Sequence, residues 1–176
     1  MAISQSLLRS KAASYPILEG REKIAANEQN FSNVRTAFLC HSHEDRELAK
    51  GIKVILKEEG VSLYIDWEDQ SMPETPNQET ADRIRNHIKR ADIFLFLATA
   101  NSKASRWCPW ELGYANGEAC SIYILLTESN GSDYGNEYLG LYPNIDKGYG
   151  KGTNKTGYAV YDPNNKQGTW VENKLK

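Results

Sequence analysis

The run Ile93–Ala98, IFLFLA, is apolar at every position, with no polar residue to mark a solvent face. Successive side chains of a strand point to opposite sides, so this run predicts a strand covered on both faces, as in a parallel sheet buried between helices. Three more short runs suit strands: Thr36–Cys40 (TAFLC), Val61–Asp66 (VSLYID) and Ser121–Leu126 (SIYILL). Between them the apolar period changes. Leu48, Ile52, Ile55 and Leu56 fall on one face of a helix over Asp45–Glu59; Ala81, Ile84 and Ile88 do the same over Glu79–Arg90. A third helix is predicted around Ser105–Glu118. Beyond it, a short helix near Glu137–Leu141, a fifth strand at Tyr158–Tyr161 and a last helical turn or two in Thr169–Leu175 complete the pattern. The alternation predicts an α/β fold: a flavodoxin-like, doubly wound, five-stranded parallel sheet with helices on both faces and right-handed crossovers.

A chain of 176 residues fits one domain. Residues 1–34 read differently from the rest: Ile3, Leu7, Leu8, Ile17, Ile24 and Phe31 recur at loosely helical spacing, with a break at Tyr15-Pro16. They are expected to form one or two amphipathic helices, an appendage that packs on the domain spanning 35–176 or on a partner, or, as the plainer and favoured reading, a surface extension. The net charge is −2 and the pI about 6.0, with basic and acidic residues mixed, so no nucleic-acid partner is expected. Cys40, Cys108 and Cys120 are odd in number and irregular in spacing, which gives neither a disulfide framework nor a zinc pattern. No apolar run approaches the roughly 20 residues of a membrane span. The N-terminus lacks the unbroken apolar stretch of a signal peptide, so a cytoplasmic protein without a membrane partner is expected.

Doubly wound sheets bind ligands beyond the carboxyl ends of their strands, where strand order reverses. Three segments follow such ends. In Asn101–Gly117, NSKASRWCPWELGYANG, Trp107 and Glu111 are four apart and share a helix face, with Trp110 beside them. Pro109 places the helix start within about a turn before it. Glu111 is then expected near the helix N-terminus, ionised, with about 0.3–1 kcal/mol from the helix dipole. A structural reading stands beside this one, with the tryptophans in the core and Glu111 a first-turn acid. The second segment, FLCHSHEDR (Phe38–Arg46), turns from strand to helix and offers backbone N–H groups to an anion. Ser42 and Asp45 also have capping-box spacing, so plain helix capping is the alternative. Neither a metal site nor a Cys–His nucleophile is expected from Cys40, His41 and His43, because adjacent strand residues diverge. The third, IDWEDQSMPETPN, suits a loop closing over a ligand, with Trp67 as a stacking face, or simply a solvated acidic loop. No G-x-G-x-x-G or P-loop motif is present.

Taken in order, FLCHSHEDRELA, YIDWEDQSMP and ATANSKASRWCPWELGYA resemble the Toll/interleukin-1 receptor (TIR) domain family over about residues 35–176. The later GNEYLGLYPNID is similar to bacterial stand-alone TIR proteins, including those of Thoeris-type anti-phage defence. The resemblance implies cleavage of NAD+ into nicotinamide and ADP-ribose, or a cyclic or derivatised ADP-ribose signal. Glu111 would be the catalytic carboxylate, four residues after Trp107 as in the family's active members. Cys40, His41, Ser42, Asp45, Arg46, Trp67 and Trp107 would line the substrate site. No cofactor is implied, because NAD+ is substrate. Homo-oligomers and a downstream effector answering to the product are the partners it suggests. Two departures stand out: Cys40 replaces a common serine, and the loop after the second strand lacks the Arg-Gly pair of receptor and plant members. Two other functions fit the same chain, a non-catalytic TIR module acting by homotypic assembly and a nucleoside deoxyribosyltransferase-like enzyme.

Overall fold

The computed structural model describes residues 2–20, 35–68, 77–150, 154–163, 165 and 167–175. Most of the expected loop at 67–78, residues 24 and 31 of the N-terminal pattern, and residues 151–153 lie outside the described residues. In chain order the first elements are β1 (Ile3–Ser4), α1 (Gln5–Ala12), α2 (described over 15–20), β2 (Thr36–Cys40), α3 (Arg46–Glu58) and β3 (Ser62–Tyr64). Next come α4 (Gln78–Arg90), β4 (Ile93–Leu97), α5 (Ala100–Ala104), α6 (Trp107–Gly117) and β5 (Ile122–Leu125). The chain ends with β6 (Thr127–Ser129), β7 (Ser132–Tyr134), β8 (Asn144–Tyr149), β9 (Thr156–Tyr161), β10 (Thr169–Trp170) and α7 (Val171–Lys174).

The main sheet runs β10-β9-β8-β5-β4-β2-β3. Its five central and edge strands β3, β2, β4, β5 and β8 are all parallel, so the doubly wound order of the expected fold is present. The order reverses between β2 and β4, whose carboxyl ends are Cys40 and Leu97. Alternation along β4 separates two cores. Ile93, Leu95 and Leu97 join Leu48, Ile52, Ile55 and Leu56 of α3 on one face. Phe94 and Phe96 face the other way, with Phe38, Cys40, Ile84, Ile88, Cys108, Leu112 and Ala115. Cys40 and the helix that carries Glu111 therefore share one side of the sheet.

Two expectations are corrected. The fifth parallel strand is Asn144–Tyr149, while Tyr158–Tyr161 lies in β9, which is antiparallel to it. β8 was hidden because it buries the polar Asn144 and Asp146 along with Ile145, so it carries no apolar run. The N-terminal segment, over its described residues, packs on the domain, the first of the two readings, and is not the favoured plain surface extension. Ile3 pairs in parallel with Thr127, forming a small sheet β1-β6-β7. Ile3 and Leu8 are buried at 1% and 0% exposure in the α3-side core. The helix lies so close on α3 that a Cβ at Gly51 would sit 2.1 Å from the Leu8 carbonyl oxygen.

Helix starts also differ from expectation. Ser42 accepts from the Glu44 N–H at 3.4 Å and opens only a short 3-10 turn, His43–Asp45. True capping boxes occur at Asn77/Thr80 and Thr99/Ser102, where a hydroxyl replaces the usual Glu or Gln at the third helical position.

Candidate active site

The second of these boxes fixes the turn after β4, and with it the switch point. Thr99 and Asn101 both reach across to Asp45, the last residue of the turn after β2. Thr99 Oγ1 donates to Asp45 Oδ2 at 2.5 Å and Asn101 Nδ2 donates to Oδ1 at 2.7 Å. Asp45 is 3% exposed, so this expected binding residue is instead a clamp between the two strand ends that flank the order reversal. Removing a buried acceptor strands its donors, each at a cost of about 1–3 kcal/mol. Asp45→Ala is expected to lower the unfolding free energy by about 2–6 kcal/mol, read as a lower urea midpoint at unchanged slope.

Beside the clamp, His41, Arg46 and Trp67 come together. The Trp67 ring meets His41 edge-on at 4.7 Å between centroids, and the Arg46 guanidinium lies 5.7 Å from the Trp67 ring centre. Arg46 is exposed, at the start of α3. His41 Nδ1 donates to the Leu39 carbonyl at 3.1 Å, while Nε2 stands 3.7 Å from Asp66 Oδ1. Burial holds this imidazole toward its neutral form, against the pull of Asp66. Asp66 also accepts from the Trp67 N–H at 2.8 Å, which sets the 3-10 turn Asp66–Glu68.

Glu111 lies on the second turn of α6, five residues into the helix, and is 5% exposed. The dipole benefit fades within the first turn. Burial dominates, and the carboxyl is pushed up to about 8, with a hydrogen bond from Cys40 pulling the other way. The neighbouring Cys108 and Asp66 disfavour its ionised form as well. The expectation of an ionised Glu111 at neutral pH is therefore corrected: burial favours the protonated carboxyl there. Cys40 is fully buried at the end of β2, with Sγ 3.6 Å from the Cys108 carbonyl, and burial pushes its thiol up. Cys108 is drawn down, chiefly by the Cys40 hydrogen bond. Cys40 thus touches the acid rather than open space.

Trp107 is half-buried against Trp110, edge-on at 5.4 Å, and Trp110 stacks toward Tyr114. Ser42 points its hydroxyl at backbone. The structure therefore gathers the expected residues into two neighbouring groups, Cys40 with Glu111 and His41 with Arg46 and Trp67. Trp107 packs against Trp110 of its own helix and on the core beneath α6. Sequence reasoning did not single out Thr99, Asp66 or Cys108. Thr99 was detectable, as a polar residue closing an apolar strand two before Asn101.

Chemically, the arrangement is a dry acid without a compensating charge among the neighbours that shift it, at the carboxyl edge of a parallel sheet. An arriving cation would favour its ionisation. Residues 37–146 match the family described as TIR domain. The chain is 35% identical over 150 residues to a protein of Bacillus cereus (strain MSX-D12) named "Probable 3' cyclic ADP-D-ribose synthase ThsB'", covering 80% of this chain and 78% of that protein. It is 27% identical over 107 residues to one of Cytobacillus dafuensis named "Putative cyclic ADP-D-ribose synthase TIR2", covering 59% of this chain and 28% of that protein.

Proposed function

Because this chain belongs to the TIR domain family, we propose that it cleaves the nicotinamide–ribose bond of NAD+ and closes the ADP-ribose into a cyclic signal for bacterial anti-phage defence. The observation that carries the reading is the uncompensated, buried Glu111. NAD+ brings the missing charge, first on its pyridinium and then on the ribose as the glycosidic bond breaks. The bonding pair leaves with nicotinamide, so no general acid is needed. The carboxylate stabilises the resulting oxocarbenium ion electrostatically. A hydroxyl oxygen of the same molecule then attacks the anomeric carbon and loses its proton, giving the cyclic product. Capture by water gives ADP-ribose instead, and a dry site disfavours it. Arg46, at the start of α3, holds the phosphates, and Trp67 packs the base or sugar. NAD+ is consumed as substrate, with no separate cofactor. The product acts on a downstream effector, and the active form is a homo-oligomer in the cytoplasm. Among the described residues no helix is long and apolar enough to cross a membrane.

The test is to incubate purified protein, dilute and clustered, with NAD+ and to resolve products by mass. Nicotinamide with a cyclic ADP-ribose is expected. Intact NAD+ under both conditions would reduce the chain to an interaction module, and a sugar adduct trapped on Glu111 would point to covalent transfer.

The pH profile follows from the acid. Since Glu111 must lose its proton to work, kcat/KM is expected to rise about tenfold per pH unit below pH 8 and to level off above it. Bound substrate brings positive charge, so the limb in kcat should lie at lower pH than the limb in kcat/KM. Coincident limbs, or activity falling toward pH 8, would contradict the charge argument.

A further inference from the structure

The N-terminal segment reaches the candidate site through one turn. Tyr15, at the start of α2, is buried at 8% exposure, and its hydroxyl donates to Glu68 Oε1. Lys53 of α3, 6% exposed, donates to the other oxygen of the same carboxylate at 2.6 Å. Glu68 closes the 3-10 turn Asp66–Glu68, whose other two residues are the ones that contact His41. A continuous path of contacts thus runs from Tyr15 to Glu68, through the turn to Trp67 and Asp66, and on to the end of β2. The lysines add to the grip from α3: the Lys50 and Lys53 ammonium groups lie 5.7 and 5.9 Å from the Tyr15 ring centre.

We propose that Tyr15 is a positioning residue for the substrate site, its hydroxyl holding Glu68 so that Trp67 and Asp66 stay set against His41. This assigns the N-terminal segment a role in substrate recognition beyond its share of the core. The assignment rests on the NAD+ reading for its kinetic arm only. A carboxylate held by a phenol on one oxygen and an ammonium on the other has little freedom to rotate. Losing one holder loosens the turn without emptying the core, because Tyr15→Phe keeps the ring.

The experiment compares wild type with Tyr15→Phe by steady-state kinetics on NAD+, thermal unfolding and amide hydrogen exchange. KM is expected to rise roughly three- to tenfold while kcat changes less than about twofold, since the loss falls on binding. Exchange should quicken at residues 66–68 and leave β8 unchanged. Ile17→Ala, an exposed position on the same helix at 63% exposure, should alter neither reading. Unchanged KM with unchanged exchange at 66–68 overturns the proposal. So does a parallel fall in kcat and kcat/KM that tracks a lower Tm, which would mark general destabilisation. If wild type consumes no NAD+, the exchange result alone decides: local quickening at 66–68 supports the positioning role, and its absence overturns it.

Discussion

Glu111→Gln is expected to suppress nicotinamide release by about 10³-fold or more while making the protein harder to unfold at alkaline pH. The first effect is the loss of the charge that faces the departing cation, since an amide matches the carboxyl in shape but cannot ionise. The second follows from linkage. The folded-state value of about 8 lies above the 4.5 of the free side chain, so between those pH values the native state holds more protons than the unfolded one. Stability therefore falls as pH rises through that window, and above pH 8 the full cost of burying the carboxylate is present. At about 1.4 kcal/mol per unit that cost approaches 3–5 kcal/mol, which glutamine does not incur. Tm curves for the two proteins should coincide near pH 4.5 and diverge by roughly 6 °C or more at pH 8.5. Near-normal turnover in the variant would end the mechanistic proposal; a Tm gap independent of pH would show that the site is wetter than 5% exposure implies.

Gly51→Ala tests the packing of α1 on α3. Alanine in a helix interior normally gains about 1 kcal/mol over glycine. Here its Cβ would lie 2.1, 2.7 and 2.9 Å from the Leu8 carbonyl oxygen, carbonyl carbon and Cα. These are backbone atoms that cannot swing aside, so α1 must lift from α3. Exposing Leu8 and Ile3 costs about 1.5–3 kcal/mol each, which outweighs the propensity gain. The net expectation is a loss of about 2–5 kcal/mol, or a Tm lower by roughly 5–15 °C. Gly113→Ala, with nothing within 4 Å of the added carbon, should instead stabilise by up to about 1 kcal/mol. Equal effects at the two positions would refute the close approach.

These two positions also show how far the sequence could be read. IFLFLA and its neighbours announced the parallel sheet because double-sided burial leaves a continuous apolar run, which survives without knowledge of partners. Strand β8 left no such trace, since Asn144 and Asp146 are buried with it. The candidacy of Glu111 was legible from its position after a strand and four residues from Trp107. Its protonation state was not, because it is set by tertiary burial together with the Cys40 hydrogen bond and the Asp66 charge, which arrive from distant parts of the chain. Asp45 illustrates the opposite error. An acid in a strand–helix turn reads as exposed capping or ligand binding, but its partners Thr99 and Asn101 lie 54 and 56 residues further on. The close approach of α1 at Gly51 left no local signal either, because it depends on Leu8, more than forty residues earlier in the chain.

The pairing of Ile3 with Thr127 orders events during synthesis. At about 5–20 residues per second, Ile3 leaves the ribosome on the order of 6–25 s before its strand partner is made. α1 can settle on α3 early, but the two residues ahead of it must wait with their edge unpaired until β6 emerges. Residues made early are thus among the last to find their place. A growing chain stalled short of residue 127 should expose that edge to chaperones or to neighbouring copies.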